Sequence, residues 1–184
     1  MMGKNFTFII FSIFIISACK TVSLKPIDQN DEMLSMSPSD LNVIDGDYEI
    51  FSVDTSSKTL EYLLTTYHFY GSHQLPKESD RINIEAIDEK HLKVRVYNNG
   101  SIIKTAILKG NISENYFKFS RRSFVFYLFL NSIEKQHNRI GIYKNGDLKI
   151  DAANRFCFLY TIIPCCCTNS QVYNLRFKRK IENY

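Results

Sequence analysis

Catalytic signatures are what this sequence most lacks. It contains no Gly-x-Ser-x-Gly, no phosphate-binding glycine loop and no His-Glu-x-x-His, so the nucleophile elbow, the P-loop and the zincin helix are all missing. Its four histidines, His68, His73, His91 and His137, are scattered and stand at no metal-ligand spacing. Tryptophan is absent, and no internal repeat is present. No sign of charge dominates: the formal net charge is +4, too mild to indicate nucleic acid as a partner. The apolar run at residues 6–16 is shorter than the roughly 20 residues that a bilayer-spanning helix needs.

What is present begins with a targeting segment. Lys4 precedes that apolar run, and Ile16-Ser17-Ala18-Cys19 closes it. Small residues ahead of the cysteine suit a peptidase that takes the backbone in extended form. The arrangement resembles the lipobox of bacterial lipoproteins. The resemblance implies removal of residues 1–18 and acylation of Cys19, the lipid attachment site, as the new N-terminus. Two or more acyl chains anchor stably, each buried CH₂ contributing about 0.8 kcal/mol. Lys20 stands where an Asp would imply retention in the inner membrane, and Thr21, Val22 and Ser23 form no acidic export signal. The resemblance therefore implies the outer membrane, facing the periplasm.

Residues 19–42 are polar, with Pro26 and Pro38 and no sustained periodicity. They read as a flexible tether with an r.m.s. span of roughly 25–30 Å. Residues 43–184 suit one domain.

Two Asn-Gly pairs, Asn99-Gly100 and Asn145-Gly146, lie between alternating runs and predict hairpins with type I′ turns. Leu92, Val94 and Val96 precede the first, and Ile103, Thr105 and Ile107 follow it. Ile140 and Ile142 precede the second, and Leu148 and Ile150 follow. These are period-2 patterns of strands with one buried face. Further strands are expected over 48–53, 82–87, 116–121, 156–163 and 172–180. Leu60, Leu63, Leu64 and Tyr67 follow helical spacing, with Ser57 as candidate N-cap and Gly71 past the end. One short helix is expected near residues 58–68.

The expected fold is mainly β: an antiparallel up-and-down meander of about eight strands, closing to a barrel that removes exposed edges. The pattern resembles the lipocalin-like domains of many envelope lipoproteins. Asp45-Gly46-Asp47-Tyr48 stands roughly where the first-strand Gly-x-Trp motif of lipocalins would be.

Cys165-Cys166-Cys167 is the most unusual run in the body. Three thiols suit a soft metal, but His137 and Cys157 would have to be brought in by the fold. Disulfide pairing is open in an oxidising compartment. A continuous strand over 156–163 would hold Cys157 about 25 Å from Cys165. The remaining reading is three small apolar residues in a loop after Pro164, dispensable for stability. The stretch 124–130 lacks alternation and follows Arg121 and Arg122. It is either buried on both faces or a surface for lipid, ligand or partner. Arg176, Lys178, Arg179 and Lys180 form either a solvated face or a contact for acidic headgroups. Asp45, Asp47 and Glu49 alternate, so they would share one strand face, either solvated or suited to acid–base work.

The function expected is that of a non-enzymatic, membrane-tethered envelope lipoprotein. It would bind a small apolar ligand in the barrel or a protein partner at its rim. The alternative is a structural or interaction protein of the outer membrane with a filled barrel; an enzyme comes third. No cofactor and no metal is expected.

Overall fold

The computed structural model describes Leu24 and residues 32–54, 59–65, 80–125, 130–160 and 163–180. Nine strands form one antiparallel sheet: β1 Gly46–Tyr48, β2 Arg81–Asp88, β3 His91–Asn98, β4 Ser101–Ser113, β5 Tyr116–Val125, β6 Leu130–Ile142, β7 Leu148–Tyr160, β8 Ile163–Phe177 and β9 Arg179–Lys180. Their order is β8-β7-β6-β5-β4-β3-β2-β1-β9, a meander in which β9 lies beside β1. Among the described residues no helix is long and apolar enough to cross a membrane.

The turns follow from residues that accept a left-handed backbone. Asn99 and Gly100 have φ of 48° and 77°, the type I′ pair expected. The second Asn-Gly behaves differently. Only Gly146 is left-handed, at φ 90°. Gly146 N donates to Tyr143 O at 2.8 Å and Tyr143 N to Asp147 O at 2.9 Å, which closes a three-residue loop. A third hairpin turns on Glu114 and Asn115, with φ of 56° and 63°.

Three strand expectations need correction. The stretch 156–163 is not one strand: β7 ends at Tyr160, which pairs directly with Ile163 at the start of β8. Pro164 lies inside β8 opposite Leu159, beside a register shift, where a missing N–H is tolerated. On β4 the period is right and the face is wrong. A register shift between Val96 and Tyr97 sets Leu92, Val94 and Val96 opposite Leu108, Ala106 and Lys104. Ile103 and Ile107 therefore point outward, 49% and 59% exposed. A one-residue slip moves every side chain to the other face. The expected strand 48–53 keeps regular pairing to β2 only over Gly46–Tyr48.

The core lies on one face of the sheet. Ile82, Ile84, Leu92, Val94, Val96, Phe117, Ile140, Ile150 and Phe177 are all fully buried there. Helix α1, Leu60–Thr65, covers this face with Leu60, Leu63 and Leu64 buried, as the spacing requires. Its cap is Thr59, whose Oγ1 accepts from Tyr62 N at 3.2 Å; Ser57, Tyr67 and Gly71 lie outside the described residues. Arg121 Nη2 donates to Leu64 O, Asn138 Nδ2 donates to Leu63 O at 3.4 Å, and Lys104 pairs with Glu61 at 3.6 Å. The helix thus bridges β4 to β5 and β6 where those strands part. β4 pairs with β5 only over Gly110–Ser113, and among the described residues 101–109 pair on the β3 side alone.

The chain ahead of Val43 also packs. Leu34 N donates to Ile142 O at 2.8 Å and Lys144 N to Glu32 O at 2.9 Å, past the point where β5 pairing ends at Phe117 and Ile140. A 3₁₀ helix, Pro38–Ile44, then buries Leu41 and Ile44.

Candidate functional site

Directly paired residues share a face of an antiparallel sheet. The inner face can therefore be read in rows across β5, β6, β7 and β8. The row Phe117, Ile140, Ile150, Leu175 is wholly apolar. The next, Phe119, Asn138, Ala152, Val172, admits one amide. Then comes Arg121, Gln136, Asn154, Ser170, and after it Ser123, Glu134, Phe156, Thr168. The same face changes from a buried apolar core to polar groups within three rows.

Those polar groups are incompletely satisfied. Asn138 and Ser132 are 1% and 4% exposed. Asn138 Nδ2 is spent on Leu63 O, and Asn154 Nδ2 donates to Glu134 Oε1. Asn138 Oδ1, Asn154 Oδ1 and Ser132 Oγ are buried with no hydrogen-bond partner. Each such atom costs about 1–3 kcal/mol when nothing meets it. Burial, with Glu134 adding to it, raises the pKa of the Tyr62 phenol from the helix. The arrangement offers amide and hydroxyl oxygens to N–H or O–H donors, with the Glu134 carboxylate beside them. The site was not visible in the sequence, because each strand supplies only one or two of its residues.

The residues singled out from sequence are dispersed. Cys19, His68, His73 and residues 126–129 lie outside the described residues. Phe124, at the start of the 124–130 stretch, is 50% exposed. Cys157 and Cys167 form a disulfide, with Cα atoms 4.1 Å apart. This corrects the reading of Cys165-Cys166-Cys167 as dispensable loop residues. The reversal between Tyr160 and Ile163 sets Cys167 opposite Cys157 on the outer face. Among the described residues no three His, Cys, Asp or Glu stand close enough to hold a metal. His137 is on the outer face, paired with Ser120 and Ala153, and burial followed by Lys135 and Arg122 lowers its pKa. His91 Nδ1 contacts Asp88 at 2.8 Å.

The alternating acids and the basic C-terminal end are structural. Asp47 accepts from Arg81 at 3.0 Å and Asn83 at 2.9 Å, and Asp45 from Ala86 N at 2.6 Å. Arg176 pairs with Asp147 at 2.7 Å, Arg179 Nη2 donates to Asp45 O, and Lys180 Nζ donates to Asp80 O at 2.8 Å. Three of the four cations read as a solvated or lipid-facing cluster are thus tied into the domain.

One outer-face network had no signal in the sequence. Arg139 and Asp151 pair at 2.6 Å with side chains 6% and 0% exposed. The Arg139 guanidinium lies 5.1 Å from the Tyr116 ring centroid, and Lys149 Nζ lies 5.8 Å from it. Burial, reinforced by Asp151, pushes the Tyr116 phenol up to about 12. Such pairs fix geometry more than they add stability. No family model matches the chain, and neither the curated proteins nor the solved structures contain a match to it.

Proposed function

We propose that the protein is a non-enzymatic, membrane-tethered envelope lipoprotein that binds a small molecule at the polar end of its inner sheet face. The carrying observation is the pair of buried, unpartnered oxygens of Asn138 and Asn154 in adjacent rows of β6 and β7, with that of Ser132 farther along β6. Folding alone is better served by apolar residues at such positions. A ligand with N–H or O–H donors removes that cost. The apolar half of the interior is occupied by the protein's own Phe117, Ile140, Ile150 and Phe177, so the ligand is amphipathic and not wholly apolar.

The same proposal includes closure of the sheet into a lipocalin-like barrel. β8 pairs with β7, and β9, one residue later in the chain, pairs with β1. Glu49 N donates to Lys178 O at 2.9 Å and Val53 N to Arg176 O at 2.8 Å. These bonds support a last strand shared between the two ends of the meander. The lipobox at Ile16-Ser17-Ala18-Cys19 supports the tether. A second reading, a partner-binding protein with a filled barrel, draws on exposed Ile102, Ile103 and Ile107 of β4.

Native mass spectrometry of the delipidated protein from its own host tests the binding reading. A stoichiometric small-molecule adduct is expected, and a bare polypeptide mass overturns it. The tether is tested separately by labelling with a fatty-acid analogue. Cys19→Ala is expected to abolish the label, and equal label on both proteins overturns the anchor.

A further inference from the structure

We propose that the open edge of β4 pairs antiparallel with the same edge of a second copy of this chain, with Thr105 on the two-fold axis. Among the described residues, β4 pairs with β5 only over Gly110–Ser113, so residues 101–109 have a single partner strand, β3. Backbone groups along such an edge are a template for another strand. The Gly110 N–H turns to β3, where it donates to Lys90 O at 2.9 Å. Alternation then turns the backbone groups of Thr105, Ile107 and Lys109 to the open side. Ser101, Ile102, Ile103, Thr105, Ile107 and Lys109 are all exposed, so this stretch of β4 meets solvent.

The occupant follows from symmetry. The open stretch is bounded at one end by the Asn99-Gly100 turn and at the other by Gly110, where β5 takes over. Its midpoint is Thr105, so one antiparallel register pairs the whole stretch with itself. In that register Ile103 faces Ile107 of the second copy, on the outer face and on both sides of the axis. The pairing removes the exposed isoleucine surface from water, and Thr105 meets Thr105, a favourable cross-strand pair. Lysines commonly blunt an edge, but here they do not oppose each other. Lys104 pairs with Glu61 at 3.6 Å and faces Ala106 of the second copy, while Lys109 faces Ser101. A contact of this kind is isologous and closes at two copies, because each copy consumes the edge of the other. The inference is independent of ligand binding; it rests on the partner-binding reading of β4 and names the partner.

The full chain is purified from its host and its mass followed by sedimentation equilibrium in density-matched detergent. Wild type is expected to be a dimer that dissociates on dilution. Thr105→Pro removes an N–H that faces the open side and leaves the β3 ladder its bonds; it should weaken the dimer about tenfold or more. Ile103→Lys with Ile107→Lys opposes like charges on both sides of the axis and should give single chains. Ile103→Lys with Ile107→Glu opposes unlike charges in the same register and should recover the dimer. The two charge variants carry the test if Thr105→Pro does not fold. Wild type that stays a single chain at every concentration overturns the proposal, as does equal association of the two charge variants. Ile107→benzoylphenylalanine, irradiated in the native host, separates the proposal from the reading beneath it. A photoproduct of two copies is expected. A product with another protein alone overturns the second copy and keeps a partner at this edge; no product at all overturns both.

Discussion

Cys157 on β7 and Cys167 on β8 are direct cross-strand partners, joined by a disulfide across a sequence separation of 10 residues. Closing a loop of that length stabilises by about 2–3 kcal/mol through the unfolded state. Cys167→Ser is expected to lower stability by that amount in urea. A reducing agent should lower the wild-type midpoint to that of the variant and leave the variant unchanged. A midpoint for Cys167→Ser equal to oxidised wild type would show that the bond contributes nothing.

Gly110 sits where β4 leaves β5. A Cβ there would collide with the backbone oxygen of Lys118 and with the Phe117 ring. The obstacle is partly backbone, so a rotamer change does not relieve it. Gly110→Ala is expected to cost about 1–3 kcal/mol, read as a lower thermal midpoint with the sheet signal of far-UV circular dichroism retained. An unchanged midpoint would mean that β4 and β5 separate without strain.

Asp147 closes the second hairpin. Burial pushes its pKa up, but bonds from Arg176, the Arg179 backbone and Asn145 outweigh this and hold it below 3.8. A carboxylate with a depressed folded pKa stabilises above its unfolded pKa, and that stability is lost as pH falls through the folded value. Asp147→Asn should therefore be about 1–2 kcal/mol less stable at neutral pH. The gap to wild type should close progressively below about pH 4. A gap that persists undiminished in acid would assign the effect to packing.

How far the fold was legible depended on whether a residue carries its own backbone constraint. Asn99-Gly100 announces its turn because few residues accept two positive φ angles. Glu114-Asn115 makes the same turn without glycine and gives no warning. The pairing of Tyr160 with Ile163 was hidden for the opposite reason: Phe156 through Ile163 reads as one continuous run of strand formers. The faces of β4 were misread because a single register shift at Val96 and Tyr97 inverts all that follows. The helix was legible in its buried leucines, which are a local pattern. The candidate site was not, because Asn138 and Asn154 come into adjacent rows only through the pairing of β6 with β7.

The most direct test of ligand binding compares wild type with Asn138→Leu and Asn154→Leu combined, both purified from the native host. Leucine removes the unpartnered oxygens together with the amide donors to Leu63 O and Glu134 Oε1, so the two effects oppose one another and the ligand-free proteins are expected to differ by no more than about 1–3 kcal/mol. Native mass spectra and thermal midpoints are recorded together on the two proteins. The small-molecule adduct seen on wild type is expected to disappear from the variant while the ligand-free variant still melts as a folded protein. An adduct retained at the same occupancy by the variant would contradict it.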